Sequence, residues 1–222
     1  SRRVLLMDTN RIQTPLLLTS YLFEYPSETW WESVPTHAAA VADVERPQSR
    51  EVFEEFFGYI GESDRQEFED AYVRAFDFSQ NTNLYLTTHN RTDFGKQSEE
   101  MLAYKQLFLD AGYDLNHELP DYLPALLEFL SHVPPADAQE LLGGAVHVIA
   151  HIAENLQSYG SPYAAVLKAA AVLSPVAPQP LTEPPVRDMD EAMETFGPDW
   201  QGIEPLLKPS VQTVRFYPKG RH

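Results

Sequence analysis

Residues able to do chemistry are few and scattered in this chain. His147 and His151 stand four apart, with Glu154 three further on. At helical spacing the three project from one face, as a metal-binding cluster requires. The plain alternative is the polar face of an amphipathic helix, since its neighbours Gly144 and Ser158 are small or polar. Glu54/Glu55 and Glu99/Glu100 are paired carboxylates, and Asp70 and Asp77 add single ones. In so acidic a chain such pairs arise by chance, so no acid–base role is assigned to them. The chain lacks glycine-rich phosphate loops, Gly-x-Ser-x-Gly and His-Glu-x-x-His. With no cysteine, thiolate metal sites, cysteine nucleophiles, disulfides and iron–sulfur ligation are excluded together. The absence of cysteine also suits a reducing cytoplasm.

Composition narrows the partners. The 222 residues carry a net charge of −17 and are 43% hydrophobic. Binding nucleic acid needs clustered Lys and Arg, so no nucleic-acid partner is expected. An acidic surface favours basic ligands, basic peptides among them. No apolar run reaches the ~20 residues of a membrane span, so no integral membrane segment is expected. Ser1-Arg-Arg looks like the start of a twin-arginine export signal, but Asp8, Asn10 and Arg11 break the apolar run that should follow. The reading is an ordinary N-terminal arm.

The elements that must position these residues are helical. Residues 12–25 are apolar around most of a helix and end at Pro26; Ser27 caps a second helix containing Trp30, Trp31 and Val34. Ser49 is expected to cap a third, with Val52, Phe53, Phe56 and Phe57 inward. Ser63 to Gln66 matches a capping box for a fourth. Residues 81–90 read as a short fifth helix and Asn90–Gly95 as a turn. The helix of 97–111 presents Met101, Tyr104, Lys105, Phe108 and Leu109, and Gly112 supplies its left-handed stop. The next opens at Leu119, with Pro120 and Pro124 straddling its first turn. It buries Leu123, Leu126, Leu127 and Leu130, leaving Asp121, Tyr122, Glu128 and Phe129 on its flanks. Long helix 135–159 ends at Gly160, and Ser161-Pro162 starts the last, through Leu173.

From Ser174 onward come nine of the chain's 18 prolines. This predicts two parts: an all-helical domain at 1–173 and a partly extended, proline-rich tail at 174–222. A short helix near Met189–Phe196 is expected, with Trp200 and Phe216 docking the tail on a body. No segment alternates as a strand does, so the fold expected is all-α, a single irregular helical bundle.

Asp121 has two readings: a cap for the helix it opens, or an acceptor for an arginine or for backbone amides of a bound peptide. Most rings among Tyr21, Phe23, Tyr25, Tyr72, Phe76, Tyr85 and Tyr122 read as core. Tyr21, Tyr25 and Tyr122 are the candidates to line a groove for an amphipathic helix, since tyrosine joins an apolar ring to a wet hydroxyl.

The stretch Glu118-Leu-Pro-Asp-Tyr-Leu-Pro-Ala-Leu-Leu-Glu-Phe129 resembles the signature of the nitrate reductase delta-subunit (NarJ) family of molybdoenzyme assembly chaperones, in the TorD/DmsD-like superfamily. Ala75-Phe-Asp-Phe, Leu84-Tyr-Leu-Thr-Thr-His-Asn-Arg, Tyr104-Lys-Gln-Leu-Phe-Leu-Asp-Ala-Gly and Tyr21-Leu-Phe-Glu-Tyr-Pro extend the likeness, which covers about residues 14–160. The resemblance implies an all-helical, cytoplasmic, non-catalytic protein without a cofactor of its own. It would bind the N-terminal peptide of an apo molybdoenzyme catalytic subunit, first of all that of nitrate reductase, and assist molybdenum cofactor insertion. Molybdenum-cofactor biosynthesis proteins are further implied partners. The peptide-binding residues it implies are Tyr21, Leu22, Phe23, Tyr25, Tyr85, His89, Glu118, Leu119, Pro120, Asp121, Tyr122 and Pro124. Two departures stand out: Tyr122 replaces the histidine frequent after the motif aspartate, and Asn90-Arg-Thr-Asp replaces a Gly-Asp-Ser/Thr-Arg turn. The rival from another class is a helical metal-binding protein or metalloenzyme using His147, His151 and Glu154. A third reading is an adaptor acting through the proline-rich tail.

Overall fold

Leu16, Leu18, Thr19, Ser20, Tyr21 and Leu22 are all buried, which makes the short helix they share the axle of the molecule. A computed structural model describes residues 9–181 apart from 78, 91–93, 114, 116 and 117. Among the described residues, eight α-helices run in the order α1 (Thr14–Leu22), α2 (Glu28–Ala40), α3 (Pro47–Glu62), α4 (Arg65–Phe76), α5 (Phe94–Asp110), α6 (Leu123–His132), α7 (Pro135–Ser158) and α8 (Tyr163–Ala171). Among the described residues there is no strand, and the fold is the expected all-α domain. They belong to one compact unit, Ser1–Pro185. Helix α1 packs chiefly on α6, and α7 on α8. Around α1, Phe56, Phe68, Phe76 and Tyr163 fill the middle with edge-to-face ring contacts, and Phe53 is buried in the same core.

Local rules set most boundaries. Ser27 accepts the Trp30 N–H and caps α2 as expected. Gly112 (φ +76°) and Gly160 (φ +68°) end α5 and α7 in the left-handed region. Other boundaries differ from the sequence reading. Pro47, not Ser49, opens α3; proline suits the first turn, and Ser49 is buried inside the helix. Asp64, one residue beyond Ser63, caps α4 by accepting from the Gln66 and Glu67 amides. Residues 81–90 hold turns and a short 3-10 helix at Leu86–Asn90 instead of an α-helix. Helix α5 turns Tyr104, Leu107 and Phe108 inward, while Leu109 is outside at 55% exposure. Phe129 is core instead of flank, because Phe108 and Tyr113 close on it at 4.6 and 5.1 Å.

Ser174–Leu181 runs without regular structure back over α7. The Gln179 N–H donates to His147 Nδ1 at 2.9 Å, and Leu181 packs on the core. The helix expected at Met189–Phe196, together with Trp200 and Phe216, lies outside the described residues.

Candidate peptide-docking face

The signature stretch forms a corner, not the first turn of a helix. Tyr122 is extended (φ −70°, ψ 118°), and α6 begins at Leu123 with Pro124 in its first turn. The cause is a backbone partner elsewhere. The Leu86 N–H donates to the Asp121 carbonyl at 3.0 Å and the Leu123 N–H to the Leu84 carbonyl at 2.8 Å, an isolated bridge centred on Tyr85 and Tyr122. Helical geometry at 121–122 would break both bonds and leave those backbone groups without partners.

Asp121 locks that corner. It is fully buried, and its Oδ2 accepts from the Thr87 N–H at 3.2 Å and the Thr87 hydroxyl at 2.6 Å. It therefore neither caps α6 nor reaches the surface. In this structure its Oδ2 is an internal staple between distant segments, and its Oδ1 is buried without a hydrogen-bond partner.

Staple and bridge together set four rings in a row. Tyr85 and Tyr122 lie 5.3 Å apart, Tyr85 is 37% exposed and Tyr122 half-buried. Tyr72 stands behind them, its hydroxyl donating to the Phe23 carbonyl at 2.7 Å. Tyr25 meets Tyr72 edge-on at 5.7 Å and is 52% exposed. Leu119, 50% exposed, adds an aliphatic side chain next to the exposed Glu118. Burial pushes the Tyr122 hydroxyl up to about 12 and Tyr85 upward as well, so both remain neutral donors near neutral pH.

Carboxylates border this face. Burial first, then the charges of Glu128 and Glu118, raise Glu24 to about 7. Glu24 and Glu128 also stand at a pocket of about 220 Å³ whose walls include Leu17, Tyr21, Trp30 and His37. Tyr21 is not a surface ring. It stacks between Trp30 (4.9 Å) and His37 (3.6 Å), donates its hydroxyl to the Trp30 carbonyl, and accepts the Trp30 indole N–H on its own carbonyl, both at 2.7 Å.

The twelve residues singled out in the sequence thus divide. Tyr25, Tyr85, Glu118, Leu119 and part of Tyr122 share the outer face. Leu22, Phe23, Pro120, Asp121 and Pro124 are buried and support it from within, and Tyr21 is 5% exposed. His89 is buried too, its Nε2–H donating to the Asn83 carbonyl at 2.9 Å, and burial lowers its pKa. Sequence reasoning did not single out Glu24 or Glu128 as site residues, while Tyr72, one of the rings read mostly as core, is buried behind the face. The first two stand inside the Tyr21–Pro26 and Glu118–Phe129 stretches already singled out, so only their common side of the fold was hidden.

The metal reading fails on geometry. His147 Nδ1 is taken by the Gln179 amide, and His151 Nε2 lies 3.0 Å from the Asn155 amide nitrogen. Among the described residues no group of three or more His, Asp or Glu side chains is placed to hold a metal ion. Among them, too, no helix is long and apolar enough to cross a membrane.

The family model "Nitrate reductase delta subunit" matches residues 43–169. The probable nitrate reductase molybdenum cofactor assembly chaperone NarJ of Bacillus subtilis is 29% identical over 162 residues, 72% of this chain and 88% of that protein. The NarJ chaperone of Escherichia coli K12 is 27% identical over 152 residues, 67% of this chain and 64% of that protein. The nitrate reductase-like protein NarX of Mycobacterium tuberculosis H37Rv is 35% identical over 94 residues, 42% of this chain but 14% of that larger protein. With the family model spanning more than half its length, this chain belongs to the nitrate reductase delta-subunit family.

Proposed function

We propose that this protein is a maturation chaperone for nitrate reductase, acting by binding and not by bond-making. The N-terminal peptide of the apo catalytic subunit docks on the face formed by Tyr25, Tyr85, Tyr122 and Leu119, and the held subunit stays receptive to its molybdenum cofactor. The action takes place in the cytoplasm, where cofactor insertion and a cysteine-free helper are compatible. Molybdenum-cofactor biosynthesis proteins are the further partners of this reading.

Two relatives carrying the name of molybdenum cofactor assembly chaperone support it. The observation that carries the docking face is the exposure of Tyr25, Tyr85 and Leu119 beside the family's signature corner. Exposed tyrosines flanked by apolar surface suit helix capture, since the rings give area at small entropy cost and the hydroxyls accept a wet rim.

Calorimetric titration with a synthetic peptide of the catalytic subunit's first residues tests this. Saturable binding is expected, weakened about tenfold or more by a Tyr25→Ala/Tyr85→Ala double variant, since buried aromatic anchors dominate such interfaces. Absence of binding by the folded protein would remove the reading.

A further inference from the structure

We infer that the pocket between the end of α1, α2 and α6 receives a cationic side chain of the bound polypeptide, an arginine or lysine held between Glu24 and Glu128. This rests on the docking face proposed above and specifies what that face selects.

The pocket's make-up matches a long basic side chain along its whole length. At about 220 Å³, it far exceeds the ~30 Å³ of a single water. Leu17, the Trp30 indole and the Tyr21–His37 stack line it, offering apolar and aromatic walls for a methylene stem. Glu24 and Glu128 are its carboxylates, and Ser27, Thr29 and Ser33 supply hydroxyl acceptors. A guanidinium meets carboxylates through charge-assisted bonds, the strongest class available to such a site.

Glu24 joins this pocket to the aromatic face. It is adjacent to Tyr25 in the chain, and its charge is felt at Tyr122 as well as by Glu118 and Glu128. A polypeptide lying across Tyr25 and Tyr122 therefore passes the pocket mouth. Among the described residues, ion pairs join Arg11 to Glu45 and Arg65 to Glu28 and Glu69, and none involves Glu24, Glu118 or Glu128. Burial raises Glu24 first, and repulsion from the like charges of Glu128 and Glu118 beside it adds to that rise. A cation from outside relieves that repulsion, so part of its binding energy comes from charges the fold already holds together.

Two fluorescein-labelled peptides of the catalytic subunit's N-terminal segment test this against the full chain by anisotropy. One keeps its Arg and Lys; in the other each Arg is citrulline and each Lys norleucine. The wild-type protein is expected to prefer the charged peptide by about tenfold or more. A Glu24→Gln/Glu128→Gln variant should lose most of that preference while holding the neutral peptide as well as wild type does. A Glu54→Gln/Glu55→Gln variant, the same charge change on the exposed side of α3, should keep it. Full preference in the Glu24/Glu128 variant would overturn the inference, and so would an equal loss in the Glu54/Glu55 control, which would make net charge the cause. Binding of both peptides with equal affinity by wild type would overturn the inference and leave the docking face standing. Binding of neither would remove both.

Discussion

Asp121 and Thr87, 34 residues apart in the chain, are joined by two hydrogen bonds to one buried carboxylate oxygen. The signature aspartate therefore has one carboxylate oxygen committed inside the molecule, while its Oδ1 is buried without a hydrogen-bond partner. What it offers a partner is indirect: the placement of Tyr85 and Tyr122 on the surface, each one residue from a bridging backbone bond.

Thr87→Val keeps the shape of the side chain and the backbone N–H but deletes the 2.6 Å hydroxyl bond. A hydrogen bond to a charged group contributes roughly 1.5–3 kcal/mol, and loss of that size is expected in urea unfolding with the m-value unchanged. A loss below about 0.5 kcal/mol, the level of an ordinary surface substitution, would mean that the staple contributes little.

Glu24 gives stability a pH dependence opposite to that of a salt-bridged carboxylate. Its folded pKa of about 7 lies above the reference 4.5, so between those values the native state keeps a proton that the unfolded chain has lost. Its contribution is fully present below the lower value and disappears as pH rises through the upper one. Glu24→Gln should match wild type in stability near pH 4 and exceed it at pH 8. The gain will be modest, because the residue is partly solvent-exposed and screened. A variant less stable than wild type at pH 8 would contradict the raising of Glu24 by burial and by the charges of Glu128 and Glu118.

The boundary of the folded unit is testable by truncation. Residues 174–181 return to the body through Val176 beside Gly143, the Gln179–His147 bond and the half-buried Leu181. A chain of residues 1–173 should fold yet melt roughly 2–5 °C below a chain of residues 1–185, since it exposes the surface those side chains cover. Equal melting temperatures would place the boundary at 173 after all.

Helix stops and most inward stripes were legible because they depend on neighbours in sequence. Gly112 and Gly160 end helices because a Cβ resists positive φ, and Leu123, Leu126, Leu127 and Leu130 recur at helical spacing; both are local facts. The single-residue slip from Ser63 to Asp64 is also local: two good caps stood side by side, and the carboxylate won the two amides. Phe129 and Leu109 could not be sorted that way. Which of them faces inward depends on where α5 crosses α6, and no spacing within one helix encodes that.

The sequence by itself determined the helical class, the acidic and thiol-free chemistry, and the short motif that marks the family, since composition, periodicity and a motif need no third dimension. Tertiary structure alone decided that Asp121 is inside, that Tyr21 is locked between Trp30 and His37, and that Glu24 and Glu128 share one pocket. Burial and the meeting of charges are properties of packed elements, set by how α1, α2 and α6 fit together. A chain read one residue after another carries those residues but not the distances between them.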